Sequence, residues 1–125
     1  MTDTGFLLDT HVVLWAMSES PRLTNVHREI LSGDAAYYVS AGSVWELAIK
    51  RALGKLEPPA DFLTTLGQTR AILLPITAAH ADHVAILPHH HRDPFDRLLI
   101  AQAQIEDLTI LSVDPHFALY EVDLV

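Results

Sequence analysis

The sequence predicts an α/β fold in which an open, mostly parallel sheet of four or five strands is covered by helices on both faces. Two observations support this prediction. Short apolar runs alternate along the chain with longer segments of helical periodicity, and such alternation favours parallel strands joined by helical crossovers. The apolar runs are also continuous, which is typical of strands that are buried on both faces of a sheet.

Composition limits the possible classes of protein. The 125 residues suffice for one domain, spanning residues 1–125, and a chain that is 50% hydrophobic and 19% charged is not disordered. The absence of cysteine excludes disulfides and thiolate metal sites. No apolar stretch approaches the ~20 residues that span a bilayer, and residues 1–5 lack a basic signal-peptide region, so we expect a cytoplasmic protein without membrane contact. The net charge of −8 disfavours a broad nucleic-acid-binding face.

The first half of the chain divides into two predicted strands and three predicted helices. Thr24 is a suitable helix N-cap, and Gly33 and Gly54 are suitable stops. The predicted elements are a strand at 6–10, a helix at 11–17, a helix at 23–31, a strand at 36–40 and a helix at 41–53.

The second half continues the alternation. Thr77 is again a suitable N-cap, and Pro94 suits the first turn of a helix that is apolar on most of its circumference. The predicted elements are a loop at 55–59, a helix at 60–69, a strand at 71–76, a helix at 77–87, a loop at 88–93, a helix from Pro94, a strand at 108–112 and a last edge strand at 120–125.

Four carboxylates are predicted to lie at the same edge of this sheet. Two of them follow strand ends and two lie near the starts of helices: Asp9, Asp114, Glu46 and Asp96. Ligands of such sheets bind outside the carboxyl ends of the strands. Gathered carboxylates repel and raise one another's pKa, and a hard divalent cation relieves that repulsion. Oxygen ligands without cysteine indicate Mg²⁺ or Mn²⁺.

Each of these acids also has an ordinary structural explanation. Asp9 and Asp96 suit helix caps, and Asp114 suits a turn before Pro115. Glu46 suits a surface pair with Lys50, one helical turn further on. Because these separate roles predict no shared edge, the coincidence of four acids favours a site.

Four motifs of the chain resemble those of a known family, in order and with fitting spacing. They are Leu7-Leu8-Asp9-Thr10-His11, the segment Ser40 to Glu46, Asp93-Pro94-Phe95-Asp96-Arg97-Leu98-Leu99-Ile100-Ala101, and Leu111-Ser112-Val113-Asp114. The chain resembles a PIN domain and, within that group, VapC-type toxins of bacterial toxin–antitoxin pairs. The resemblance covers essentially the whole chain. It implies a three-layer α/β/α fold and a Mg²⁺- or Mn²⁺-dependent endoribonuclease that a cognate antitoxin inhibits.

The resemblance carries the family's four acidic positions to Asp9, Glu46, Asp96 and Asp114 as catalytic and metal-binding residues. Asp93 competes for the third position, and matching the alanines of the following helix favours Asp96. The implied mechanism is phosphodiester hydrolysis, in which Asp9 and Asp96 hold the metal most directly. Glu46 and Asp114 then complete its shell or hold a second ion. One departure is His11, where many relatives have asparagine.

Several polar residues near this edge are candidates for supporting roles. Arg97 is predicted either to contact phosphate or to pair with a structural carboxylate. The remaining candidates are hydroxyl groups that orient water or a ligand, at Thr10, Ser43 and Ser112, and a basic cluster that guides RNA, at Lys50, Arg51 and Lys55.

The histidines favour loop and surface positions over a zinc site. Three consecutive residues such as His89, His90 and His91 do not readily face one zinc ion, and no fourth ligand follows at zinc spacing. We therefore predict a solvated loop near the site. His80 and His83 are predicted to lie on the surface.

Partners and alternative functions follow from the same residues. Apolar side chains around Trp15, Met17 and Leu31 predict a groove for an antitoxin helix, and the apolar content favours a homodimer. One alternative is a receiver-like phosphoacceptor domain, although Asp9 has no acidic neighbour and no lysine follows Lys55. The other alternative is a catalytically silent PIN-like module that only binds a partner.

Overall fold

A computed structural model describes residues 5–55, 61–90 and 92–125. The predicted N-terminal region 1–4, most of the loop at 55–59, the first residue of the helix at 60–69 and His91 lie outside the described residues. The described chain contains strands β1 (Phe6–Leu8), β2 (Tyr37–Ser40), β3 (Ile72–Leu74) and β4 (Thr109–Leu111). Its α-helices are α1 (Thr10–Met17), α2 (Asn25–Ser32), α3 (Ala41–Ala52), α4 (Phe62–Gly67), α5 (Ala78–His83) and α6 (Pro94–Glu106).

The four strands form one parallel sheet in the order β3-β2-β1-β4. Leu7 lies opposite Tyr38 on one side and Ile110 on the other, so β1 is central. A helix follows each of the first three strands, which confirms the predicted α/β fold and brings all four carboxyl ends to one edge. Among residues 5–55, 61–90 and 92–125, no helix has both the length and the apolarity to cross a bilayer.

Helices cover both faces of the sheet and create two separate cores. Because neighbouring residues of a strand point to opposite faces, Leu7 packs in one core with α6, and Leu8 packs in the other with α1 and α2. Leu7 and Ile100 of the first core are fully buried, and so are Val12 and Val13 of the second, within 1%. The fold is therefore a three-layer α/β/α sandwich, as the resemblance implies.

The caps of α2 and α5 are those that the sequence predicts. The Thr24 hydroxyl accepts a hydrogen bond from the His27 amide, and the Thr77 hydroxyl accepts one from the His80 amide, each at 3.1 Å. The His80 ring in turn accepts from the Thr77 amide, which completes a capping box. Both helices thus begin where their side chains satisfy otherwise unpaired amides.

Two predicted elements differ from those observed. The helix predicted at 77–87 is observed as α5 followed by a 3₁₀ turn at Val84–Ile86. Pro88 restricts Leu87 to an extended conformation, so the helical segment ends there. The tail predicted as an edge strand at 120–125 follows a second 3₁₀ turn at Pro115–Leu119 and forms only a single parallel bridge, Leu124 to Ile110. The edge of β4 is therefore covered by the tail without a fifth strand.

Candidate active site

The Asp9 carboxylate lies at the carboxyl end of the central strand and is almost fully buried. Its backbone N–H donates to the Leu111 carbonyl at 3.0 Å, which extends the pairing of β1 with β4 by one residue. Asp9 occupies the N-cap position of α1, yet its side chain makes no capping hydrogen bond. The Ser112 hydroxyl instead donates to Asp9 Oδ2 at 2.8 Å. The predicted helix-cap role is therefore wrong for the side chain of Asp9.

Burial raises the pKa of Asp9 above its ordinary value, and the nearby charge of Asp114 raises it further. The Ser112 hydrogen bond, the charge of His11 and the Thr10 amide oppose this change without cancelling it. A carboxylate in this position is destabilised when it is ionised, and a bound cation would relieve that destabilisation.

Asp114 is connected to Asp9 through Ser112. The Asp114 amide donates to Ser112 Oγ at 3.0 Å, so one hydroxyl contacts both the carboxylate of Asp9 and the backbone of Asp114. Asp114 Oδ1 accepts from the His116 amide at 2.9 Å and lies 2.8 Å from its Nδ1. The turn role predicted for Asp114 is therefore real, and it coexists with proximity to Asp9.

Glu46 lies on α3 and is 6% exposed, with its two carboxylate oxygens in different situations. Oε2 accepts from Lys50 Nζ at 2.8 Å, which is the predicted pairing, although this pair is half-buried rather than on the surface. Oε1 is buried and has no hydrogen-bond partner among the residues that the structure describes. A buried acceptor without a donor is costly, and a bound cation or its water would relieve that cost.

A second pair of hydroxyls joins α1 to α3. Thr10 Oγ1 and Ser43 Oγ are 2.9 Å apart, and both side chains are buried. Because Thr10 follows Asp9 and Ser43 lies one turn before Glu46, this hydrogen bond ties the end of the helix that carries Glu46 to the end of β1. Their proposed roles in orienting ligands remain predictions.

The start of α6 distinguishes Asp93 from Asp96. Asp93 Oδ1 accepts from the Phe95 amide at 2.9 Å and from the Asp96 amide at 3.1 Å. Asp93 is therefore the N-cap, and the N-cap role considered for Asp96 is wrong. Asp96 is half-buried in the first turn, where the helix dipole favours its ionised form.

The start of α6 packs against α3. The rings of Trp45 and Phe95 meet edge-to-face with centroids 5.1 Å apart. The helices also approach closely at Gly42, where an added Cβ would lie 2.9 Å from Leu98 Cδ2. A larger residue at position 42 would thus require the Leu98 side chain to move, at the contact between the helix that carries Glu46 and the helix that carries Asp96.

On α3, polar side chains lie on the buried face and large apolar side chains lie on the exposed face. Ser43 and Glu46 are buried, whereas Trp45, Ile49 and Leu53 are exposed by 58%, 37% and 63%. Helical periodicity separates a polar face of a helix from an apolar one, but it does not show which of the two faces is buried in the folded protein.

Arg97 fits neither of its two predicted roles. It is 7% exposed and donates to the carbonyls of Pro88, Val84 and Leu87 at 2.7–3.3 Å, and also to the Tyr120 hydroxyl. None of the hydrogen bonds described for this guanidinium goes to a carboxylate. Arg97 therefore anchors the backbone that leads into the 88–93 loop.

Two histidines predicted on the surface are built into the protein. His80 is 1% exposed, with Nε2 at 2.7 Å from Glu106 Oε2, and His83 Nε2 lies 2.7 Å from Gln104 Oε1. Both contacts join α5 to α6. The sequence signal that could have indicated these contacts is the presence of two polar residues on α6, Gln104 and Glu106. His89 and His90 are exposed, as the loop prediction requires.

The donor chemistry fits a hard divalent cation. All four candidate ligands are carboxylates, Asp9 has a raised pKa, and Glu46 has an unpartnered buried oxygen. Within residues 5–55, 61–90 and 92–125, no three His, Cys, Asp or Glu side chains are already arranged around one point as an ion requires. The described contacts connect Asp9 to Asp114 through the Ser112 hydroxyl. The hydroxyl pair of Thr10 and Ser43 connects the helix of Glu46 to the end of β1, and the packing of Phe95 on Trp45 connects the start of α6 to α3.

The opposite half of the molecule contains an apolar cavity of about 490 Å³ between α1, α2 and α4. Met17 and Leu31 line it, as predicted, together with Leu8, Val39 and Leu66. Trp15 is half-buried and packs in the same core, but it is not part of the lining.

Comparison with known proteins identifies the architecture. The family model of the PIN domain matches residues 6–123. The fold is similar to the VapBC2 complex of Rickettsia felis, bound to a DNA fragment from its promoter, with a TM-score of 0.74, 16% identity and 98% of each chain covered. DNA-bound VapBC of Salmonella typhimurium gives a TM-score of 0.68 at 15% identity, with 98% of this chain and 97% of that chain covered.

A toxin–antitoxin complex of Klebsiella pneumoniae gives a TM-score of 0.65 at 14% identity, with 95% of this chain and 94% of that chain covered. No curated protein sequence matches the chain. At these identities the solved structures establish a shared fold, and the family model establishes the family.

Proposed function

The chain belongs to the PIN domain family of nucleases, and from that premise we propose that it is a Mg²⁺- or Mn²⁺-dependent endoribonuclease acting as the toxin of a toxin–antitoxin pair. One observation carries the proposal. Asp9 is a buried carboxylate at the carboxyl end of the central strand that caps no helix and lies within the electrostatic reach of Asp114. A carboxylate whose ionised form is destabilised by burial and by a second acid is a candidate ligand, because a bound cation would offset both effects.

The residues divide into ligands and groups that position them. Asp9 and Asp96 would hold the cation, with Glu46 and Asp114 completing its surroundings or holding a second ion. When bound, a divalent cation supplies a lowered pKa for the attacking water and positive charge beside the phosphate. Ser112 orients the Asp9 carboxylate by donating to Oδ2.

The two carboxylate oxygens of Glu46 have different proposed roles. Lys50 neutralises Oε2 and holds the side chain in place, which leaves Oε1 as the acceptor that faces a ligand or its water. Arg97 is a positioning residue because it fixes the backbone that precedes Asp93 and the start of α6.

An antitoxin is the proposed protein partner. Relatives with this fold were solved as VapBC and toxin–antitoxin complexes. The apolar cavity around Met17 and Leu31 is of a size and character that suits the apolar face of a partner helix. A homodimer is also proposed. Growth arrest on expression, relieved by co-expression of the neighbouring gene, tests the toxin role separately from the chemistry.

The experiment that tests the nuclease activity compares three aspartates that lie at helix starts. The purified wild type should cleave RNA in Mg²⁺ and not in EDTA. Asp9→Asn and Asp96→Asn should abolish cleavage while circular dichroism shows a folded protein. Asp93→Asn is the matched control, because asparagine caps a helix about as well as aspartate.

The outcomes separate the remaining alternatives. Equal cleavage by the wild type and Asp9→Asn would remove the proposed site. Activity that survives in Asp96→Asn and is lost in Asp93→Asn would transfer the third acidic position to Asp93. No cleavage by a folded wild type that still binds its antitoxin would favour the catalytically silent module. The receiver-like alternative is inconsistent with membership of the PIN domain family.

A further inference from the structure

The exposed face of α3 carries an aromatic side chain beside the candidate site. Trp45 is 58% exposed, although the residues that flank it on the interior side, Val44 and Glu46, are half-buried and buried. An exposed indole on the helix that carries Glu46 is available to contact a ligand bound at the candidate site.

The Trp45 ring is held in place from the side of α6. Its contact with the half-buried Phe95 is edge-to-face, with 75° between the ring planes. This contact fixes an orientation for the indole, while most of its surface stays open. Trp45 and Phe95 directly precede Glu46 and Asp96 in sequence, so each half of the aromatic pair is one residue from a proposed ligand.

We propose that Trp45, held in its orientation by Phe95, forms a stacking platform for one unpaired base of the RNA substrate, a proposal that rests on the function proposed above. Every nucleobase has a flat π-face, and single-stranded RNA is commonly held by stacking its splayed bases on aromatic side chains. A platform next to the acids would place one nucleotide beside the bond to be cleaved.

Charge favours a base over phosphate as the group that this surface binds. The protein has a net charge of −8 and only 8 Lys and Arg residues, so phosphate contacts supply little of the affinity. Lys50, the nearest lysine on α3, is already paired with Glu46. Stacking gives affinity without positive charge, which is what an acidic nuclease needs.

Tryptophan fluorescence tests the platform without any requirement for cleavage. The chain has two tryptophans, so Trp15→Phe leaves Trp45 as the only one. A short unstructured RNA oligonucleotide, added in EDTA so that it stays intact, should quench the Trp45 emission. A series of oligonucleotides with one abasic position each should show one position at which quenching and affinity both fall.

Substitutions at Trp45 distinguish stacking from simple apolar contact. Trp45→Leu keeps an apolar side chain but removes the π-face, and it should weaken RNA binding by roughly 5-fold to 150-fold. Trp45→Phe keeps a π-face and should retain most of the affinity. Leu53→Ala is the control, because Leu53 is an exposed apolar residue on the same helix two turns further on.

Each outcome decides the proposal. If Trp45→Leu binds and cleaves RNA like the wild type, the platform is wrong and the nuclease function stands. If the wild type neither binds nor cleaves RNA, both proposals fail. If Trp45→Leu and Trp45→Phe lose binding equally, or if either converts a dimer to a monomer in light scattering, then Trp45 serves packing or a protein interface and the platform is overturned.

Discussion

Among the described residues, three α-helices begin directly after an aspartate, and two of these aspartates are used in opposite ways. Asp93 accepts hydrogen bonds from the amides of Phe95 and Asp96, so it caps α6. Asp9 precedes α1 in the same way, but its side chain makes no capping hydrogen bond. It is 2% exposed and accepts instead from the hydroxyl of Ser112, which directly follows β4.

The difference separates a structural aspartate from one that is proposed to be functional. A capping carboxylate stabilises its helix because it satisfies amides that otherwise lack partners. Asp9 makes no capping hydrogen bond, and its pKa is raised by burial and by Asp114, so its ionised form is destabilised. The proposed role of Asp9 as a metal ligand accounts for this cost, because a bound cation would relieve it.

Stabilisation by a bound metal ion should show the largest difference between Asp9 and Asp93. Mg²⁺ at about 100 times its dissociation constant should stabilise the wild type by about 2.7 kcal/mol, because the ion binds only the folded chain. Asp93→Asn should show the same stabilisation and Asp9→Asn little of it, as measured by thermal unfolding with and without Mg²⁺. An equal response of all three proteins would contradict the assignment of Asp9 as a ligand.

The next effect concerns the hydroxyl that contacts Asp9. Ser112→Ala removes the donor to Asp9 Oδ2, and loss of such a supporting hydrogen bond typically costs about 10-fold to 100-fold in activity. RNA cleavage at saturating Mg²⁺ measures this change. Ser18→Ala is the control, since Ser18 is an exposed serine that donates only to its own helix. Unchanged cleavage by Ser112→Ala would show that the Ser112 hydrogen bond is not needed to orient the Asp9 carboxylate.

The capping side of the comparison predicts a smaller change in stability. Asp93→Ala leaves the amides of Phe95 and Asp96 without their acceptor and should lower the free energy of unfolding by about 1 kcal/mol. Asp93→Asn should lower the free energy of unfolding by no more than about 0.3 kcal/mol, because asparagine caps a helix about as well as aspartate. Urea unfolding followed by circular dichroism measures both, and equal stability of the two variants would argue against the cap.

The smallest effect is a dependence of stability on pH. Because the folded pKa of Asp9 is raised, its stabilising contribution is complete below the ordinary value of about 3.9 and is lost as the pH rises through the folded value. Asp9→Asn does not titrate, so in EDTA it should become more stable than the wild type as the pH rises. A constant difference across this range would mean that the pKa of Asp9 is not raised.

Much of the fold follows from local sequence. The alternating apolar runs predicted four parallel strands, and Thr24 and Thr77 predicted two helix starts, because caps and strand periodicity depend on residues that are close along the chain. The ordered motifs predicted the PIN domain family, which the match over residues 6–123 confirms. The four acids of the site remain predictions.

The tertiary structure alone decided what individual side chains contact. The sequence offered Asp96 as the cap of α6, offered Arg97 a phosphate or a carboxylate, and placed His80 on the surface. In the structure Asp93 caps α6, Arg97 donates to three backbone carbonyls, and His80 is buried against Glu106. Periodicity divides α3 into two faces, but only the packing of α1 and α6 shows that the polar face is the buried one. Contacts between residues far apart in sequence depend on how elements pack, and local patterns carry no record of that packing.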